Sequence, residues 1–175
     1  MPKARKMLSD WDAPYVQLLV RLIETQSKAT LVHWSVDYAE DNILPLWRKH
    51  YPDDRRPQHA LEAAREWLSG AIRLPQAKKA ILECHAAARE AEANPVAQAA
   101  ARAIGQSASA IHSPRHCIGL ALYGAIAVAY DTLGTQTAWE KLEQCAASAC
   151  GQMYDALRAI AIDKEPNPAK IDWKC

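Results

Sequence analysis

Apolar side chains recur every three to four residues along most of the chain, and prolines stand where the periodic stretches begin. Tyr15, Leu18, Leu19, Leu22 and Ile23 form the first stripe. Behind them stand Asp12 as the expected cap and Pro14 in the first turn, where a missing N–H costs nothing. A second helical stretch runs from Ala29 through Tyr38 to Trp47, with Pro45 set to kink or restart it. His50 to Pro57, HYPDDRRP, reads as a turn-rich loop. Pro57 opens a helix to Ser69 that Gly70 closes, and Pro75 opens one reaching Ala93. Asn94 and Pro95 cap and open another, to Ala110. Ser113 and Pro114 repeat that device before an apolar helix ending near Leu133 and Gly134. Thr135 or Thr137 is the expected cap of a last long helix, to about Asp163.

The helices starting at Pro57, Pro75 and Pro95 begin about 18 to 20 residues apart, which predicts hairpins packed antiparallel. With no internal repeat and no dividing linker, the expectation is all-α. A single domain over 1–175 would be a bundle of about six to eight antiparallel helices. The tail, 164–175, has two prolines and no helical period, so it is expected to be an extended arm pinned by Trp173. Alanine makes up about a fifth of the chain and phenylalanine is absent. Alanine favours helix and lets helix axes approach closely, which leaves the six Trp and six Tyr to supply much of the core volume.

Charge removes several classes. There are 21 basic and 20 acidic residues, a formal net charge of +1, and no excess that would suit nucleic acid. A chain of this length buries roughly 70% of its unfolded surface, so neither metal nor disulfide is needed to make a core. The five cysteines form no CxxC pair, and the opening MPKARKMLSD lacks the apolar stretch of a secretory signal. Free thiols in a reducing cytoplasm are expected, with Cys175 exposed and oxidisable. The apolar run from Cys117 to Tyr130 is shorter than the ~20 residues of a membrane span and reads as a buried central helix.

Candidate chemistry is sparse. No P-loop, GxGxxG, HExxH or GxSxG is present. His112 and His116 have the spacing of a chelating pair, but Ser113-Pro114 between them breaks the helix, so a hydrogen-bonded structural pair and no metal is expected. Arg56, in the Asp53–Arg56 loop, is available for bidentate pairing with a carboxylate; the loop is either a binding surface or a solvated cap of the next helix. On that helix, Glu62, Arg65 and Glu66 are spaced to pair. Asp37 beside Trp34 is either a ligand-binding acid or the anchor of a neighbouring Arg, with Trp34 in the core. His85 next to Cys84 does not share its face, so a Cys–His nucleophile is not expected; Cys145 and Cys150 read as small apolar helix residues.

Four blocks carry a resemblance: HWSVDYAEDNILPLW, YPDDRRPQHALEAAREWLSG, CHAAAREA and AAARAIGQSASAIHSPRHCIGLALYGA. In order and spacing, over 29–130, they resemble the all-helical immunity proteins of bacterial polymorphic toxin systems, the Imm-five-like group. The family positions fall on Trp34, Asp37, Arg56, Pro57, Ala63, Arg65, Trp67, Gly70, His85, His112, His116 and Tyr123. The stretch after Asp131 matches nothing. The resemblance implies a non-enzymatic, cofactor-free protein that occludes a cognate toxin. The binding residues would be Trp34, Asp37, Arg56, Arg65, Trp67, His85, His112, His116 and Tyr123. Two alternatives stay open: a ligand- or metal-binding protein or enzyme with Asp37, Arg56, His85, His112 and His116 converging on a cleft, and a homo-oligomer whose aromatic surface is its own interface. Neither nucleic acid nor membrane is an expected partner.

Overall fold

The computed structural model describes residues 3–174; Cys175 lies outside them. The described residues form eight α-helices and no strand: α1 (Pro14–Ile23), α2 (Lys28–Tyr38), α3 (Leu44–His50), α4 (Arg56–Leu68), α5 (Leu74–Glu90), α6 (Pro95–Ser109), α7 (Gly119–Leu133) and α8 (Trp139–Ile160). A π-helical turn, Ala39–Ile43, fuses α2 to α3, and a 3-10 turn, Pro114–Ile118, leads into α7. The π turn is how the chain absorbs Pro45. The ring cannot pack on the carbonyl one turn back and has no N–H to donate, so the turn widens and Leu44 N–H reaches Ala39 O. Asn42 covers the displaced Tyr38 carbonyl through its side-chain amide, at 3.2 Å.

Punctuation works as expected at Asn94 and Gly70, and Ser27, which the sequence pattern did not single out, caps α2. Ser27 Oγ accepts from Thr30 N–H, Asn94 Oδ1 accepts from Ala97 N–H, and Gly70 ends α4 at φ +78°. There Gly70 N–H bonds Trp67 O and Ala71 N–H bonds Glu66 O, closing the last carbonyls of α4. Three expected caps are corrected. Ser113 stands at the N-cap of the 3-10 turn but its side chain makes no capping hydrogen bond, and α7 begins only at Gly119. Asp12 forms a local turn with Asp10 instead of capping α1, whose N-cap is Ala13. Thr137 donates its hydroxyl to Leu133 O at 2.6 Å, and α8 begins behind Ala138. The last helix also stops at Ile160, short of Asp163, because Gln26 takes both backbone groups of Ile162 (2.9 and 3.1 Å) and pulls the chain away from the helix axis.

α6 is the hub: twelve of its fifteen residues are buried, and it packs against α2, α3, α4, α5 and α7. Ala97, Ala100, Ala101, Ala103 and Ala108 let these neighbours close in. Connections of a few residues between α4, α5 and α6 force successive packed helices to run antiparallel. α7, the expected buried helix, packs between α6 and α8. With its 3-10 entry it forms a 20-residue stretch long and apolar enough to cross a membrane by composition, yet most of that stretch is inside the bundle.

Core volume departs from the expectation. Of the twelve Trp and Tyr only Trp34, Trp47 and Tyr130 are buried; Leu, Ile and Val from every helix fill the interior around the alanines. The first stripe is also rotated. α1 buries Val16, Leu19, Val20, Leu22 and Ile23, while Leu18 stands 51% exposed. The arm is pinned as expected, with Trp173 Nε1–H on Glu24 (2.7 Å) and the Trp173 ring 5.3 Å from that of Trp11.

Candidate functional site

The candidate residues fall into separate groups. Trp34 and Asp37 leave one end of α2. Trp34 is buried and donates from Nε1 to Met153 O (2.9 Å), tying α2 to α8, and it lines a shallow concavity of about 310 Å³ with Asp37, Tyr38 and Ile160. Asp37 anchors an arginine, the second of the two readings open in the sequence: Arg65 on α4 meets Asp37 at 2.8 Å and Glu40 at 2.6 Å. Arg65 therefore does not pair with Glu62 or Glu66 on its own helix. Burial works against its charge, but the hydrogen bonds to Glu40 and Asp37 outweigh it and raise the pKa. Glu40 escaped the sequence reading, although it stands three residues from Asp37 and the period places both on one face.

Arg56 opens α4 and is bidentate twice over. It bonds Asp54 through Nε and Nη2 and Glu90, at the end of α5, through Nη1 and Nη2 at 3.1 and 2.6 Å. The bonds to Asp54 and then to Glu90 fix the guanidinium in its charged form, and Arg56 in turn pulls both carboxyls below their ordinary range. The charged loop is thus a structural staple between α4 and α5. Trp67, half-buried near the end of α4, takes Lys28 Nζ at 5.3 Å from its ring centroid.

Three histidines and Tyr123 gather where α5, α6 and the 3-10 turn meet. The His112 and His116 rings stack at 5.8 Å, but the hydrogen bond of His116 goes from ring Nδ1 to Gln106 Oε1 (2.8 Å) and not to His112. Their pairing is by stacking. His116 and Tyr123 share a concavity of about 250 Å³ rimmed by Trp11 and Trp173. His85 fits against Gly105, whose missing Cβ leaves the ring its place. Burial pulls all three imidazole pKa values down. Arg102 and Arg89 add to this at His85, Lys78 and Lys28 at His112, and Arg115 with the other two histidines at His116.

Asp37, Arg56 and His116 therefore do not meet in one cleft. Asp37 and His116 line different concavities, and Arg56 is saturated by carboxylates. Among the described residues no group of three or more His, Cys, Asp and Glu is placed to hold a metal ion. Cys84, Cys117 and Cys150 are buried and unbonded to one another. Burial holds each thiol protonated, Cys150 pushed up to about 12. Partners that the sequence concealed, Glu90 and Gln106, lie far along the chain from Arg56 or belong to a different element from His116, where periodicity carries no signal.

A family model described as Imm-5 like putative immunity protein matches residues 21–156. The match contains the 29–130 resemblance and corrects its edge, since the family continues beyond Asp131 through most of α8. Searches of the curated proteins and of the solved structures return no match. With well over half of its length matched, from the end of α1 to α8, the chain belongs to the Imm-5 like putative immunity protein family.

Proposed function

We propose that this protein binds a cognate toxin in the cytoplasm and neutralises it by steric occlusion, with no reaction of its own. Family membership is the observation that carries the reading. The side-chain chemistry supports it: Arg56 and Arg65 are committed to internal carboxylates, the buried thiols of Cys84, Cys117 and Cys150 are held protonated, and burial holds the imidazoles of His85, His112 and His116 neutral. Groups in those states stiffen a scaffold. A stiff helical surface binds without an ordering cost, and a toxin interface of typical size would cover roughly 1,200–2,000 Å².

Co-expression with the toxin encoded beside the gene is the test. The expected result is restored growth together with a stoichiometric complex on purification. Growth arrest that persists, with no complex formed, would overturn the reading for that partner.

A further inference from the structure

Positive charge is unbalanced along the edge that α5 shares with α6. Lys78, Leu82, His85 and Arg89 recur along α5 at alternating steps of four and three residues, so they form one stripe of its surface. Three contacts set that stripe beside α6. The His85 ring lies against Gly105, Cys84 Sγ donates to Ala101 O (3.3 Å), and Gln98 Nε2 donates to Ala88 O (3.0 Å). This register brings Arg102, one turn before Gly105, alongside the stripe, and both Arg102 and Arg89 act on the His85 ring.

Elsewhere in the bundle Lys49 meets Asp131, Arg56 meets Asp54 and Glu90, and Arg65 meets Asp37 and Glu40. Among the described residues no carboxylate pairs with Lys78, Arg89 or Arg102. Arg102 Nε is also buried with no hydrogen-bond acceptor, the single such side-chain atom among the described residues. A charged donor shut away without an acceptor is costly, and native folds hold few of them.

The acids of the same helix are engaged or lie on its other flank. Glu90 is bonded to Arg56 on the α4 side, and Arg89 adds the weakest of the pulls on it. Glu83, two turns earlier, shares that flank. Glu92, just past the end of α5, stands between Lys3 and Lys6 at 3.8 Å from each. The imidazoles report the same imbalance: every charged group of the described residues that acts on His85, His112 or His116 is a cation or another imidazole. In the middle of the stripe Leu82 is 66% exposed, more than any other large apolar side chain among the described residues.

We propose that this α5–α6 edge docks an acidic face of a partner protein, with carboxylates on Lys78, Arg89 and the outer nitrogens of Arg102 and an apolar side chain seated on Leu82. Under the immunity reading, on which the identity of the partner rests, that face belongs to the toxin. Three cations without a local carboxylate select an anionic occupant. Leu82 selects a protein among the anions, because a nucleic-acid backbone offers phosphates and sugars but no apolar counterpart.

The experiment uses the full chain and three probes: the adjacent toxin, a synthetic Glu/Leu peptide, and its Gln/Leu counterpart. K78E/R89E and L82D are compared with K141E/R158E, which makes the same change of charge as the first at exposed positions of α8. Amide resonances of α7 matching those of the wild type check that each variant is folded. We expect the Glu/Leu peptide to shift the backbone amide resonances of residues 78–89 and 98–106. Each edge variant weakens both Glu/Leu peptide and toxin binding by about tenfold or more, and the α8 variant by less than about twofold. Toxin binding untouched by the edge variants overturns the edge and leaves the immunity reading standing. No toxin binding by the wild type, with the Glu/Leu peptide still bound at the edge, overturns the immunity reading and leaves the edge. Equal binding of the Gln/Leu peptide, tighter binding of a short DNA duplex or of phosphatidylglycerol vesicles, or self-association abolished by K78E/R89E overturns the proposal.

Discussion

Two helical glycines separate the effect of space from that of propensity. Gly151 lies in α8 with nothing within 4 Å of an added Cβ, whereas a Cβ on Gly105 would meet His85 Cε1 at 2.6 Å. Gly151→Ala is expected to stabilise by about 0.5–1 kcal/mol, the ordinary helix preference for alanine. Gly105→Ala gains the same preference but overpacks a half-buried ring on the adjoining helix, and is expected to destabilise by about 1–3 kcal/mol. Urea unfolding of both variants decides this, and the double variant G105A/H85A locates the cause. If the clash dominates, removing His85 makes the added methyl group favourable. A Gly105→Ala protein more stable than wild type would mean that the ring moves aside without cost.

At the scale of elements, the arm caps a helix more than 130 residues away. Glu165 accepts from Ser27 N–H, Ser27 Oγ–H and Thr30 Oγ–H at 2.7–2.8 Å, across the N-terminus of α2. Burial raises its pKa, but these bonds outweigh it and the net shift is downward. A lowered carboxyl pKa contributes stability above its unfolded value that is lost as pH falls through the folded one. Glu165→Gln is expected to cost about 1 kcal/mol at neutral pH, a half-buried site contributing less than a fully buried one. The difference from wild type should vanish in acid below pH 4.5; a cost unchanged there would show that the charge is irrelevant. This bond also marks what sequence could carry. Helix starts at Pro57, Pro75 and Pro95 and the ends at Gly70 and Asn94 were legible because each is decided within one turn. The Asp37–Arg65 link was legible in kind, as an acid anchoring an arginine, but not in partner. The cap by Glu165, the staple of Arg56 to Glu90 and the rotation that exposes Leu18 are set by packing between distant segments, on which local periodicity is silent.

For the whole molecule, pH selects between groups of titrating residues. Burial, reinforced by Arg102, Arg89, Lys78, Lys28 and Arg115, lowers the pKa of His85, His112 and His116 from the ordinary 6.5, so the fold holds these rings neutral. The unfolded chain then binds more protons than the native one just below pH 6.5, and stability must fall as pH drops through that region. The carboxyls held down by hydrogen bonds, Asp54, Glu90 and Glu165, lose their contribution only below 4.5, so the window from about pH 6.5 to pH 5 isolates the histidines. The midpoint of urea unfolding should decline across that window and be flat from pH 7 to 8. Added salt should remove the share due to the neighbouring cations and leave the share due to burial. The three rings sit where α5, α6 and the 3-10 turn join, so acid should first loosen that junction. Hydrogen exchange at pH 5.5 is expected to quicken around residues 105–118 before it quickens in α8. A midpoint constant from pH 7 to 5, or exchange that quickens uniformly, would mean that the rings accept protons without leaving their places.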